Sequence, residues 1–351
     1  MGDICDIDTF RRNPEIAHKK KQCADNAARD MSAMTSRTET VSMRFNKLDL
    51  NLLVALDALL TEQNISRAAE KIYLSQSAMS SALARLREYF GDELLVQVGR
   101  KMELTPRAQA LQDPVRDILV RIDSTVSAQP DFVPAQSDRV FRLHVSDYTM
   151  TTLMPHVIAL AYQHAPGIRL ELCAQIMHPH RVLERGEADL LIIPKEYGSV
   201  DHPAETLLTE TFCCVVWNRS PLAKGEMTAE RYLAAGHIVV QPGELHSALE
   251  DGFMHKLGIE RKVEVTTYSF VAPAQLLPGT NRIATMHRRL ARQVARSLPV
   301  VLRDVPVPVP AMEQSMQWHK HRTTDPGLAW LRGIIKQAVT VMDQAHDDEH
   351  R

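Results

Sequence analysis

Gln76, Ser77, Ser80, Ser81 and Arg85 follow one another at intervals of one, three, one and four residues. On a helix those intervals put all five on one face. Their chemistry is recognition: a carboxamide and three hydroxyls donate to and accept from base edges, and a guanidinium takes guanine or phosphate. A helix face that is only solvated usually carries more Glu and Lys. Ser66 and Arg67, just before this stretch, and Arg100 and Lys101, just after it, are of types that meet a sugar-phosphate backbone. No GxSxG, GK[ST], HExxH or GxGxxG occurs, so no catalytic residue is assigned and an enzyme is not expected.

A second group lies in the C-terminal half. Ser146, Asp147 and Thr149 follow a predicted strand, and Gln175 and His178 follow the next. His246 opens a helix after Pro242-Gly243, and Tyr268 and Phe270 follow a later strand. Polar and aromatic residues at strand carboxyl ends predict a cleft for a small molecule. His178-Pro179-His180 and His319-Lys320-His321 each have one intervening residue and no cysteine nearby. They read as surface histidines, with no metal and no cofactor. Cys213 and Cys214 are adjacent in a predicted strand and should point to opposite faces as buried thiols.

These groups need elements to hold them. Residues 48–62 predict an amphipathic helix with Leu52, Leu53, Leu56, Leu59 and Leu60 on its buried side. Residues 66–72 predict a short helix, with Ala68 and Ala69 allowing close approach. Ser75 is an N-cap for a helix reaching about Tyr89, whose Met79, Leu83, Leu86 and Phe90 form one apolar stripe. Residues 91–104 predict a two-stranded wing turning at Gly99-Arg100-Lys101. Together these make a winged helix-turn-helix over 43–105, preceded by a disordered extension at 1–42. A long amphipathic helix over 106–128 carries Leu111, Val115, Ile118, Leu119, Ile122 and Val126, a stripe most easily covered by a second copy of the chain. A Pro-rich hinge spans 129–138. Alternating strand and helix patterns follow. They predict parallel α/β sheets in two lobes, 139–211 with 312–345 and 212–311, joined by two crossings.

The whole chain fits this plan. It has 351 residues and a formal net charge of −2. Its balance excludes a bulk basic binder but allows a local positive surface. Five cysteines without a framework suit a reducing cytoplasm. The sequence shows neither an apolar run long enough for a membrane span nor a signal-peptide core.

The segments LDLNLLVALDAL, ISRAAEKIYLSQSAMSSALARLRE, LTPRA (104–108) and GEADLLII (186–193) resemble LysR-type transcriptional regulators across about 44–342. The opening MRFNKLDLNLLVALDALLTE and PAQSDRVFRLHVSDY (134–148) are most similar to the branch holding the nodulation regulator NodD and the regulators of aromatic and chloroaromatic breakdown. The resemblance implies a periplasmic-binding-protein-like two-lobed α/β sensor. It implies a homodimer or tetramer paired through the linker helix, bound to double-stranded promoter DNA. It also implies activation of RNA polymerase in response to a small, often aromatic, inducer. It places Gln76, Ser77, Ser80, Ser81 and Arg85 on the recognition face, Ser66 and Arg67 at phosphate, and Arg100 and Lys101 on the wing near the minor groove. Ser77 replaces the family's usual proline, and Ser81 stands where many members have arginine. The competing reading is an α/β small-molecule-binding or catalytic protein with an accessory helical domain.

Overall fold

The computed structural model describes residues 48–126, 132–175, 178–242 and 248–348. The extension at 1–42, His246 and part of the predicted hinge lie outside these residues. The chain divides into two compact units, one ending at Thr105 and one beginning at Pro106.

In the first unit each helix begins at a side-chain cap. Helix α1 (Leu50–Glu62) starts at Asp49, whose carboxylate accepts from Leu52 N at 2.9 Å. Helix α2 (Ile65–Lys71) starts at Asn64, which accepts from Arg67 N at 3.0 Å. Helix α3 (Gln76–Phe90) starts at Ser75, which accepts from Ala78 N at 3.2 Å. Such caps satisfy donors that the first turn leaves open. Leu52, Leu56, Leu59 and Leu60 of α1 are buried with Met79, Leu83 and Leu86 of α3, while Leu53 and Phe90 are half-buried. Ala68 and Ala69 of α2 are also buried, and their methyl-only side chains let three helices meet closely. Gly91, at φ 60°, ends α3. The wing is the antiparallel pair β1 (Leu95–Val98) and β2 (Lys101–Leu104).

The second unit begins with α4 (Pro106–Val126). Lobe 1 contains β3 (Val140–Val145), α5 (Asp147–Thr152), α6 (Met154–His164), β4 (Arg169–Ala174), α7 (His180–Glu184), β5 (Leu190–Pro194) and β6 (Ala204–Glu210). The chain then crosses to lobe 2. That lobe contains β7 (Phe212–Trp217), α8 (Ala229–Ala234), β8 (Gly236–Val240), α9 (Leu249–Lys256), β9 (Lys262–Thr267), α10 (Ala272–Leu276), β10 (Ile283–His287), α11 (Arg288–Ala295) and β11 (Val300–Arg303). It returns as β12 (Met312–Gln317) and α12 (Pro326–Asp348).

The sheet orders are β4-β3-β5-β12-β6 and β11-β7-β10-β8-β9. The expected all-parallel sheets are instead mixed. In each lobe the strand that enters from the other lobe, β12 or β7, runs antiparallel to both its neighbours. A chain that crosses and returns must enter each sheet against the direction of the others. The edge strands β6 and β11 are short or only weakly alternating in sequence. The helical stretch over 147–164 is two helices, α5 and α6. Pro155 has no N–H for an intrahelical bond, and α6 restarts around it.

The lobe 1 core packs Phe141, Leu143, Leu190 and Ile192 against Val157, Ala161, Leu328, Leu331 and Ile335. In lobe 2, Cys213 faces one apolar cluster and Cys214 the opposite one, as strand geometry requires. Burial raises both thiols, Cys213 to about 12. Asp325 caps α12 by accepting from Leu328 N at 3.0 Å and receives a two-pronged Arg139 at 2.7 Å on each oxygen.

Residues of α4 outside the apolar stripe meet its own lobe. Val120 is buried, with Cγ2 3.0 Å from where a side chain on Gly186 would begin. Asp117 meets His321 at 3.0 Å and Lys320 at 3.3 Å, and Asp123 meets Arg322 at 2.8 Å. Ile118 and Val126 remain exposed.

Tyr73, between α2 and α3, has φ 56° and is 97% exposed. The left-handed conformation costs an L-residue about 1–2 kcal/mol, and among the described residues none packs on this ring to offset it. Tyr73→Gly is therefore expected to raise stability by about 1 kcal/mol, read as a higher urea midpoint of the first unit. An unchanged or lower midpoint would contradict the strain.

Candidate functional site

Helix α3 leaves Gln76, Ser77, Ser80, Ser81 and Arg85 exposed. Its stripe of Met79, Leu83 and Leu86 is buried on the other side, which fixes which groups face outward. Ser77 Oγ lies 3.0 Å from the capping Ser75 Oγ. Arg85 Nη2 lies 3.2 Å from Asp49 Oδ2, with both side chains more than half exposed. That ion pair adds little stability and leaves the guanidinium able to exchange partners. Arg67 is exposed and donates to Glu62 O at 2.8 Å, whereas Ser66 is half-buried. Arg100 and Lys101 are exposed at the wing turn, where Gly99 has φ 62°. All nine residues belong to one compact unit. The exposed ones offer hydrogen bonds and positive charge without being needed for its core.

The second site lies between the lobes. Ser146, Tyr148, Gln175, Pro194, Tyr197 and Gln314 meet Pro242, Ala248, Leu249, Phe270, His287 and Met312 around a cavity of about 40 Å³. None of these described lining residues is Lys, Arg, Asp or Glu. Ser146 also caps α5, accepting from Thr149 N at 3.2 Å. Gln175 Nε2 donates to Ile192 O at 3.2 Å. Gln314 is buried and its Nε2 donates to Thr149 Oγ1 at 3.1 Å, while its Oε1 has no partner among the described residues. Such an orphan acceptor favours a ligand that brings a donor. Tyr148 stacks on His287, with ring centroids 4.2 Å apart, and Phe270 meets the same imidazole edge-on at 5.2 Å.

Of the residues expected from sequence, the cavity brings together Ser146, Gln175 and Phe270. Asp147 does not line it. Its carboxylate accepts from Ser269 Oγ at 2.6 Å and Phe270 N at 3.2 Å, tying lobe 1 to lobe 2. Thr149 is buried behind the wall under Gln314. His178 is exposed with φ 61°, and Tyr268 is 83% exposed. Neither is among the residues that line the cavity. His319 is buried rather than at the surface, 4.7 Å ring to ring from the buried His202. Among the described residues no cluster is arranged to hold a metal. Sequence reasoning missed Tyr148, Tyr197, His287 and Gln314. His287 was within reach of the strand-end rule, because it is the last residue of β10.

Below the cavity the chain makes its first crossing. Tyr148 O–H donates to Glu210 Oε2 at 2.5 Å, and Glu210 is 1% exposed. Thr211 N donates to Glu210 Oε1 at 2.9 Å, and Arg289 approaches Oε2 at 3.4 Å. Burial and the neighbouring Glu210 charge hold the Tyr148 phenol well above its ordinary range, so it stays a donor. Burial alone lowers His287 to about 3, leaving a neutral ring against Tyr148.

The comparisons agree with this architecture. Residues 50–109 match the bacterial regulatory helix-turn-helix protein, lysR family, and residues 134–340 match the LysR substrate binding domain. The chain belongs to the LysR family of transcriptional regulators. Among its relatives, Nodulation protein D of Bradyrhizobium sp. (strain ANU 289) is 41% identical over 305 residues, covering 87% of this chain and 90% of that protein. A crystal structure of a transcriptional regulator from Pseudomonas aeruginosa is 30% identical with a TM-score of 0.56, covering 84% of this chain and 98% of that one. Full-length OxyR from the same organism, 18% identical with a TM-score of 0.62 and covering 83% of this chain and 94% of that one, shares the fold. No helix among the described residues is long and apolar enough to cross a membrane.

The buried histidines set a pH dependence. Burial lowers His237 and His319 to about 4 and His287 to about 3, each from 6.5. As pH falls below 6.5, each takes up a proton only on unfolding, so stability is lost. Glu250 acts oppositely, because burial raises it from 4.5 to about 7 and the folded form keeps that proton. Burial also lowers His144 and His202, and five groups against one make stability fall between pH 6.5 and 5. His287→Phe preserves the stack on Tyr148 and is expected to reduce the slope by about 1 kcal/mol per pH unit. Urea unfolding at pH 5, 6 and 7 measures this, and an unchanged slope in the variant would refute a neutral buried His287.

Proposed function

We propose that this LysR-family regulator is an activator. It binds double-stranded promoter DNA as a homodimer or tetramer paired through α4, and it acts on RNA polymerase when a small aromatic inducer occupies the space between the lobes. The domain plan is a DNA-binding unit over 43–105, the pairing helix over 106–128, a hinge over 129–138, and two lobes at 139–211 with 312–345 and at 212–311. The family's regulatory helix-turn-helix supports the DNA role. The exposed apolar residues Ile118 and Val126 on α4 suit pairing with a second copy.

In this reading Gln76, Ser77, Ser80, Ser81 and Arg85 read the major groove. Ser66 and Arg67 meet phosphate, and Arg100 and Lys101 follow the backbone from the wing. The observation that carries the inducer reading is the cavity wall itself. It has aromatic rings from both lobes, no charged side chain among its described residues, and one orphan acceptor on Gln314. Ser146, Gln175 and Phe270 remain in the proposed contact set, joined by Tyr148, Tyr197, His287 and Gln314. A cavity of about 40 Å³ holds little more than a water molecule, so an aromatic enters only as the lobes or wall side chains shift.

Arg85→Ala is expected to weaken promoter binding by about fivefold to a hundredfold, as loss of about 1–3 kcal/mol of base or phosphate contact requires. Its elution volume should match wild type. Asp49→Asn, which removes only the exposed partner of Arg85, should bind normally. Fluorescence anisotropy on promoter fragments measures both, and wild-type affinity in Arg85→Ala would sink the recognition-face reading. A thermal-shift screen of neutral hydroxylated aromatics against their methoxy and carboxylate counterparts tests the ligand. Hydroxylated members are expected to raise the melting temperature, and Gln314→Leu to lose that preference.

A further inference from the structure

Glu210 and the arginine pair that opens α11 hold both crossings between the lobes. Arg289 donates to Thr209 O at 2.7 Å, reaches Glu210 Oε2 at 3.4 Å and meets Asp343 of α12 at 3.0 Å. Arg288 donates to Phe212 O at 3.2 Å and pairs with Asp304, in the second crossing, at 2.8 Å. Its own backbone N donates to Thr211 O at 2.8 Å. Two adjacent side chains thus staple residues 209–212 and 304 to one helix end. A single side chain joins this staple to the cavity. Tyr148 rises from lobe 1, packs in the lobe 2 cluster with Phe212, Met286 and Met312, lines the cavity with its ring, and ends on Glu210 at 2.5 Å.

We propose that Tyr148 is the positioning residue through which occupancy of the cavity reaches the interlobe hinge, residues 209–212 of the first crossing, by way of its hydrogen bond to Glu210 and the Arg288–Arg289 staple. The inference rests on the inducer reading for its ligand but not for its coupling. A ligand larger than a water molecule must displace part of the wall. The Tyr148 ring is held there by stacking on His287, and its hydroxyl is fixed to a carboxylate that water does not reach. Moving the ring stretches that bond and leaves Glu210 to Thr211 N and Arg289 alone. A buried carboxylate that loses one of its few donors shifts or draws its remaining partners with it. Those partners lie on the segment that joins the lobes. A small displacement at the wall therefore becomes a change in how the lobes are held.

Tyr148→Phe keeps the ring, the stack and the packing and removes only the hydroxyl. In the full-length protein without ligand, hydrogen exchange is expected to quicken about tenfold at the Thr211 and Arg289 amides, which point at Glu210 Oε1. The β3 and β5 amides should keep wild-type protection. Glu210→Gln should produce the same local change, and the double variant should add nothing beyond either single one. Unchanged exchange at Thr211 and Arg289, additive effects, or loss of protection throughout lobe 1 would each overturn the proposal, the last by making Tyr148 an ordinary core residue. With any hydroxylated aromatic that shifts the wild-type melting temperature, Tyr148→Phe is compared at a concentration that saturates its own melting shift, and it should still lose most of the reporter response. A wild-type response overturns the coupling. If no compound shifts the wild-type protein, the inducer reading falls and the exchange result alone decides the coupling.

Discussion

A carboxylate buried where two lobes meet constrains the whole sensor. Glu210 is 1% exposed, and an ion taken out of water is tolerated only when its oxygens are well supplied with donors. Those donors come from separate parts of the fold: Tyr148 from the helix after β3, Arg289 from the helix after β10, and the Thr211 amide from the crossing itself. Removing one partner of a buried pair costs about 3–5 kcal/mol, so these elements must arrive together. The stacked Tyr148 and His287, the position of α11 and the placement of the cavity floor all follow from satisfying one side chain.

The DNA-binding unit follows the opposite logic. Its helices begin at Asp49, Asn64 and Ser75, whose caps are local hydrogen bonds three residues long. Its core is leucine, methionine and alanine. Nothing in that core depends on Gln76, Ser80 or Ser81, which stay at the surface with hydrogen-bonding capacity to offer. Folding is therefore carried by one face of α3, and the exposed face can vary while the fold is kept. In the sensor single residues do several jobs. Tyr148 is at once part of an apolar cluster, a cavity wall and a hydrogen-bond donor to the hinge, and Gln314 braces Thr149 while presenting its free oxygen.

Local pattern made much of this legible in advance. The helical stripe of Met79, Leu83 and Leu86, the turn at Gly99 and the apolar run at Leu190–Pro194 need only nearest-neighbour chemistry to read. Edge strands such as Ala204–Glu210 were harder, since a strand paired on one side needs less apolar alternation. Strand-end residues were legible as a group but not one by one. Ser146, Gln175 and Phe270 reach the cavity, while the exposed Tyr268 and His178 do not line it. A shift of one residue at a strand end reverses a side chain, and no local signal marks that shift.

The sequence by itself determined the helix-turn-helix, its wing, the two α/β lobes and the polar face of α3, because caps, turns and apolar periodicity act over a few residues. Only the tertiary structure decided what the distant groups do. Asp147 became an interlobe tie to Ser269, 122 positions away. Asp117 and Asp123 of α4 became partners of residues 320–322. Glu210, unremarkable in AETLLTE, became the buried charge of the hinge. The reason is physical. A side chain's role is set by how much water is removed from it and which donors replace that water, and both depend on contacts between segments that the linear pattern does not relate.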